Sequence, residues 1–404
     1  MKMLRAVAAA ALILGIGGSL AVPAAEIDRQ TAHRLNQLSR ETKVNADDLR
    51  AAVEAAEFQP KIIELITKPW EKKPWHAYRK LFITDKRIQE GARFLRDNLK
   101  ILEKAEKDFG VEKEVIVAIL GVETFYGDKM GTWKLVDALY TLGFHYPKRS
   151  QYFSKEFANY VKLAHSQGWG ITERSGSYAG AMGMAQFMPS SYLGYAVDFN
   201  HDGKKDLFYS RADAVGSIAN YFKKSGWIHG RSVAYPASVS RKSSVAGLLG
   251  GKLTPNTTIG ELRKRGVEIL APRGAVHDAD RVKLLELDGE EGKVYYVIYP
   301  NFVSITRYNT SPLYAMAVHD LSQEIRREIQ GGPGPRAAEP AGHRPDPTSD
   351  RPGSQAGQRA PNPAHSPAAR PGHPESRPGS HDAHDRRVPV QEESYDSRRD
   401  RPRR

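Results

Sequence analysis

The stretch Val115-Ile116-Val117-Ala118-Ile119-Leu120-Gly121-Val122-Glu123-Thr124-Phe125-Tyr126-Gly127 carries the decisive reading of this chain. Apolar residues fall on every face of the helix it would form, so that helix is expected to be buried all round. A single carboxylate sits at its C-terminal end, and Gly127 suits a helix stop. A carboxylate there faces the negative end of the helix dipole and is desolvated by its neighbours. Both effects disfavour the charged form and raise its pKa. A glutamic acid kept protonated near neutral pH is what glycosidic cleavage asks of a general acid. On this segment alone, a Glu123 paired with a buried Arg or capping a neighbouring helix is an equal reading.

Working outward, residues from about 30 to 230 have a helical texture. Apolar residues recur at three- and four-residue spacing across Arg87 to Leu102, and again at Val215, Ile218, Ala219 and Phe222. From about 232 to 300 the pattern shifts to short strands. The runs Val282 to Leu287 and Val294 to Ile298, joined through Asp288-Gly289 and Gly292, predict a hairpin. Pro312 to Ile329 returns to helix. Downstream of Glu123 lies Gly176-Ser177-Tyr178-Ala179-Gly180-Ala181-Met182-Gly183-Met184-Ala185-Gln186-Phe187-Met188-Pro189-Ser190-Ser191-Tyr192. Its small residues permit close backbone approach, and Ser177 and Gln186 offer hydrogen bonds beside an apolar floor, as a sugar groove needs. As bare composition, a helix-packing glycine cluster fits equally well.

Together, Glu123-Thr-Phe-Tyr-Gly and Ala-Gly-Ala-Met-Gly-Met-Ala-Gln-Phe-Met-Pro-Ser-Ser-Tyr resemble the lytic murein transglycosylase B family, over about Phe58 to Leu321. The resemblance implies an α+β, mainly α fold: a lysozyme-like helical core, an additional helical lobe and a small inserted β-rich domain. The expected division is a signal peptide over 1–25, a helical lobe over 26–110 and a catalytic core over 111–231. A β-rich insertion over 232–300, a return to the core over 301–330 and a disordered tail over 331–404 complete it. The resemblance makes Glu123 the sole acid/base at the bond between N-acetylmuramic acid and N-acetylglucosamine, releasing 1,6-anhydro ends without water. Ordinary glycosidases use two carboxylates; Asp128, beyond Gly127, is given no nucleophilic role. By the same resemblance Ser177 and Gln186 hydrogen-bond the sugar, Tyr78 and Tyr221 border the groove, and Tyr308 and Asn309 lie near Glu123. Core packing is the competing account of each tyrosine. A hydrolytic muramidase of the same fold and a non-catalytic wall-binding scaffold are the alternatives for the whole chain.

Asp198-Phe199-Asn200-His201-Asp202-Gly203-Lys204 opens like an EF-hand loop, with side-chain oxygens at positions one, three and five and glycine at six. Lys204 would contribute its carbonyl. Position twelve is Tyr209 rather than Glu, and family loops of this kind close on a later Asp, here Asp213. A structural calcium ion is therefore expected, and no cofactor for catalysis. An acidic turn that binds nothing is the competing reading.

Lys2 and Arg5, an apolar run from Ala6 to Leu20 and small residues around Val22 to Ala25 describe a secretory signal. The run is shorter than the roughly 20 residues of a spanning helix, so no membrane span is expected after its removal. The chain has 404 residues and no cysteine, which excludes disulfides and an N-terminal lipid anchor through cysteine, and points to the soluble periplasm. The net charge of +13 suits an anionic wall polymer, and the compartment excludes nucleic acid. Peptidoglycan glycan strands are the expected partner of a monomer, with other cell-wall enzymes as further candidates. From Gly331 the chain is dense in Pro, Gly, Ser, Arg, His and Asp and lacks large apolar residues, so the tail is expected to stay unfolded.

Overall fold

The computed structural model describes residues 27–67 and 73–331, so the signal segment and all of the tail beyond Gly331 lie outside the described residues. The helical texture resolves into α1 (Arg29–Thr42), α2 (Ala46–Glu54), α3 (Pro60–Thr67), α4 (Trp75–Phe82), α5 (Asp85–Asp97), α6 (Leu99–Phe109) and α7 (Lys113–Thr124). Asp28, Asn45 and Thr84 start α1, α2 and α5 by accepting from the N–H groups of Thr31, Asp47 and Arg87. The periodic run over 87–102 is two helices rather than one. Asn98 leaves the helical region (φ −117°), and its amide donates to the Phe94 carbonyl at 2.8 Å, so the axis bends there.

Strand β1 (Trp133–Lys134) leads into α8 (Leu135–His145), and α9 (Ser150–Gln167) returns to β2 (Ser175–Gly176), which pairs antiparallel with β1. Then come α10 (Pro189–Tyr195) and α11 (Arg211–Lys224). The β-rich part holds β3 (Ala234–Val239), α12 (Lys242–Val245), β4 (Thr257–Thr258), α13 (Ile259–Lys264), β5 (Val267–Ile269), β6 (Arg281–Asp288) and β7 (Lys293–Ile298). Its strands form one antiparallel sheet in the order β4-β6-β7-β3-β5. The expected hairpin is β6–β7, with Leu285 opposite Tyr296 and Asp288 opposite Lys293. Strand alternation divides its side chains. Val282, Leu284, Tyr295 and Val297 enter a small core with Ile259 and Leu262, whereas Leu285, Leu287, Tyr296 and Ile298 join the main helical core. The sheet is thus covered on both faces and fastened to the helical body.

α14 (Pro300–Tyr308) and α15 (Pro312–Ile329) close the described chain. α7 is the central rod. Ile116, Val117, Ile119 and Leu120 are fully buried, each worth about 1.5–3 kcal/mol relative to exposure. α5, α6, α11 and α15 pack around it. α15 runs antiparallel to α7, because Tyr314 meets Glu123 at one end and Arg326 meets Glu114 (3.1 Å) at the other.

Candidate active site

The turn after α7 places the carboxylate. The helix stops at Thr124, three residues before the expected glycine, and Phe125 (φ 53°) and Tyr126 (φ 63°) both take the left-handed conformation. Such residues cost about 1–3 kcal/mol each and persist only where their surroundings fix them. Here the Tyr126 N–H donates to the Leu120 carbonyl (3.0 Å) and the Lys129 N–H to that of Thr124 (2.8 Å). The Tyr126 hydroxyl donates to the Arg87 carbonyl at 2.6 Å. Its ring fills a slot between α5 and α7 that exists because residues 91 and 121 are glycine. A Cβ on Gly91 or Gly121 would lie 2.5 or 2.6 Å from the Tyr126 hydroxyl oxygen. A buried anchor therefore holds the strained turn.

Glu123, in the last turn of α7, is partly buried and faces Tyr314 of α15, whose hydroxyl donates to Oε1 at 2.5 Å. Burial raises the Glu123 pKa to about 7, and the Tyr314 hydrogen bond opposes that rise. Behind Tyr314 stands a packed aromatic layer. Tyr308 stacks on it nearly parallel (9°, centroids 6.5 Å) and on Phe222 (5.7 Å), with Tyr221 edge-on at 4.9 Å. Tyr221 and Tyr308 are only 3 % and 5 % exposed, and their hydroxyls donate to the carbonyls of Arg307 and Ala185. α11 and α14 turn these two tyrosines inward, so they back the carboxylate wall rather than offer hydroxyls to a groove. Tyr78, 8 % exposed, lies on α4 and packs on Phe82 at 5.1 Å. Asn309 ends α14 and accepts from the Ser311 N–H at 3.1 Å.

The glycine-rich segment is stitched to this wall. The Thr124 hydroxyl donates to the Met184 carbonyl (2.9 Å), and Gly131 crosses Gly176 so closely that a Cβ at residue 131 would meet the Gly176 carbonyl oxygen at 2.1 Å. The Gln186 backbone is left-handed (φ 47°), and its amide donates to the carbonyls of Met130 (3.1 Å) and Gly183 (3.0 Å). Its amide oxygen makes no hydrogen bond among the described residues. The Ser177 hydroxyl accepts from the Ala181 N–H at 3.1 Å and stays half-buried. Asp128 is exposed on the turn beyond Gly127.

The acidic loop between α10 and α11 brings Asp198, Asp202 and Asp213 together, with carboxylate oxygens within 4.8 Å of one another. Asp213, in the first turn of α11, is fully buried and accepts from the N–H groups of Phe199 (2.8 Å), Asn200 (3.4 Å) and Asp206 (2.8 Å). Asp198 accepts from Asp202 and Gly203, and the Asn200 amide donates to Asp202 at 2.9 Å. The Lys204 N–H donates to Asp202 at 2.9 Å. Tyr209, at the twelfth position, is 72 % exposed and takes no part. The oxygen-only donor set and its spacing fit a hard divalent cation.

The transglycosylase SLT domain description matches residues 28–323. This chain belongs to the lytic murein transglycosylases. It is 43 % identical over 251 residues to the Escherichia coli (strain K12) membrane-bound lytic murein transglycosylase B, covering 62 % of this chain and 67 % of that protein. Soluble lytic transglycosylase SltB1 of Pseudomonas aeruginosa matches with a TM-score of 0.68 at 39 % identity, over 75 % of this chain and all of that one. The Escherichia coli lytic transglycosylase Slt35 in complex with calcium matches with a TM-score of 0.64 at 36 % identity, over 74 % and 93 % of the two chains. SltB3 of Pseudomonas aeruginosa, in complex with NAG-anhNAM-pentapeptide, gives 0.66 at 28 % identity, over 77 % and 82 %.

In this transglycosylase the residue that sequence reasoning did not single out is Tyr314. It is 191 positions from Glu123, and in the sequence it reads as one more apolar residue of an amphipathic helix. At the opposite end of the α7/α15 pair a cavity of about 410 Å³ is lined by Glu112, Trp227, Arg231, His319 and Arg326 among others. It contains none of the predicted site residues.

Proposed function

We propose that this enzyme cleaves the β-1,4 bond between N-acetylmuramic acid and N-acetylglucosamine without water, leaving 1,6-anhydro-muramic acid ends. The supporting observation is that Glu123, at the end of the apolar helix α7, has its carboxyl held by the Tyr314 hydroxyl. Burial raises its pKa to about 7 against the opposing Tyr314 hydrogen bond, so the carboxyl is available as an acid near neutral pH. A protonated Glu123 gives its proton to the glycosidic oxygen as the bond to C1 breaks. The muramic acid 6-hydroxyl attacks C1, and the Glu123 carboxylate takes the hydroxyl proton, restoring the acid. The Tyr314 hydrogen bond favours the ionised form, so it assists the half of the cycle in which Glu123 gives up its proton. That SltB3 of Pseudomonas aeruginosa is found in complex with an anhydro-muramyl ligand supports this reading over hydrolysis.

Ser177, and Gln186 through its amide oxygen, would orient the sugar from the glycine-rich side, with Tyr78 and Asn309 at the groove edges. Tyr221 and Tyr308 would act through packing. Asp198, Asn200, Asp202, the Lys204 carbonyl and Asp213 would hold calcium, which would brace the loop behind the groove and take no part in chemistry. The Slt35 calcium complex supports that assignment. The chain would be exported to the periplasm and work there on glycan strands as a soluble monomer. Among the described residues no helix is long and apolar enough to cross a membrane.

Mass spectrometry of muropeptides released from purified sacculi tests the reaction. Anhydro-muramyl products are expected from the wild type, and Glu123→Gln should lower their release by at least about 10³-fold. Reducing-end products, one water heavier, would make the enzyme a muramidase. Equal release by both proteins would remove Glu123 from the chemistry.

A further inference from the structure

Three cations surround the ring of Phe125, two residues beyond Glu123. Lys86 Nζ lies 5.6 Å, the Arg87 guanidinium 5.2 Å and Lys129 Nζ 5.8 Å from its centroid. Arg87 is committed to structure, with its N–H groups donating to the carbonyls of Gly121 (3.1 Å), Leu81 (2.6 Å) and Phe82 (3.1 Å). The two lysines are exposed and form no ion pair among the described residues. Of the nearby acids, Glu90 is bridged to Arg93, and neither Asp85 nor Asp128 is ion-paired to these lysines among the described residues. The result is a pair of exposed ammonium groups at a half-buried aromatic ring, about 7 Å or less of backbone from the acid/base.

Phe125 lies at the rim of the site. The Arg87 guanidinium is stacked between the Phe125 and Phe82 rings (both 5.2 Å), and Phe82 packs on Tyr78. A line of rings and cations therefore runs from the proposed groove edge to the two lysines. On the reaction proposed above, Glu123 acts at C1 of muramic acid. That sugar alone bears the peptide stem, and the stem supplies the strand's carboxylates. At roughly 3.3–3.6 Å per extended residue, even a two-residue stem spans the distance from the sugar to this ring.

We propose that Lys86 and Lys129, ranged on Phe125, bind a carboxylate of the peptide stem, so that the enzyme prefers strands whose stems are charged. This rests on the reaction proposed above. The test compares initial rates of anhydro-muramyl release from soluble stem-bearing strands and from the same strands with their stem carboxylates amidated. The wild type should favour the charged strands about fivefold at low salt, as expected for two solvent-exposed charge contacts, and lose the preference in 0.5 M salt. The double variant Lys86→Gln/Lys129→Gln should treat both substrates alike, at the wild-type rate for amidated strands. Lys86→Arg/Lys129→Arg should restore the preference. A double variant that keeps the wild-type preference, or that slows equally on both substrates, overturns the stem site and leaves the reaction standing. A wild type that releases no anhydro product from either substrate overturns the reaction and the stem site together.

Discussion

Two buried carboxylates sit at opposite ends of two helices, and the molecule treats them in opposite ways. Glu123 occupies the last turn of α7, at the negative end of the helix dipole, and receives a single phenol hydrogen bond from Tyr314. Asp213 occupies the first turn of α11, more deeply buried, and collects three backbone N–H groups. The first setting favours the neutral acid, whereas the second surrounds a carboxylate with donors that fix its position. Burial alone does not make a general acid; it does so where donors are withheld. The acidic loop spends its donors on holding a charge still, and the catalytic turn keeps its carboxyl underprovided so that a proton stays on it.

Exchanging donors at either end would break the contrast. The largest expected effect on stability is at Asp213: Asp213→Ala orphans buried N–H groups in the loop and should cost about 3 kcal/mol in denaturant unfolding with chelator present. A loss below about 1 kcal/mol would mean that the loop does not depend on its buried acid. Glu123 should give the reverse sign as pH rises. Its carboxyl ionises near pH 4.5 in the unfolded chain and near 7 in the folded one. Its contribution is therefore complete below pH 4.5 and lost as pH climbs through 7. Relative to Glu123→Gln, the wild type should lose up to about 3 kcal/mol across that window. Parallel stability curves for the two proteins would show that Glu123 is not held neutral. The smallest effect sharpens the comparison: Tyr314→Phe should slow turnover about tenfold and move the alkaline limb of the pH–rate profile above 7. A limb that stays put, or moves down, would deny that the phenol sets the acid.

Much of this was legible in the chain itself, and the reasons differ from place to place. The all-round apolar run ending in Glu123 could be read because helix period and dipole are local properties. The β6–β7 hairpin was legible from two apolar runs and a glycine-bearing turn. β3, which separates β7 from β5, was not, because Ala234 to Val239 carries a proline and only long-range pairing makes it a strand. The break at Asn98 escaped because the apolar spacing continues through it. Thr124 ended α7 early because the Tyr126 ring finds its slot on α5, a tertiary fact. The acidic loop drew attention to Asp198, Asn200 and Asp202 by their spacing, whereas Asp213, beyond Asp206, was suggested only by the family resemblance. Tyr221 and Tyr308 carry residue types that suit sugars, yet their burial depends on how α11 and α14 turn. Tyr314 was hidden for the converse reason, since nothing local distinguishes a phenol that will meet an acid 191 residues away.

That separation also sets an order of events. A chain made from its N-terminus presents Glu123 long before α15 exists, and at that stage the acid has no phenol above it and no closed wall behind it. The environment of Glu123 is completed by nearly the last of the described residues to emerge. A chain that stops short of α15 would leave Glu123 without the helix that packs along α7 and the hydroxyl that meets its carboxyl, so it is expected to lack the tuned acid of the whole chain.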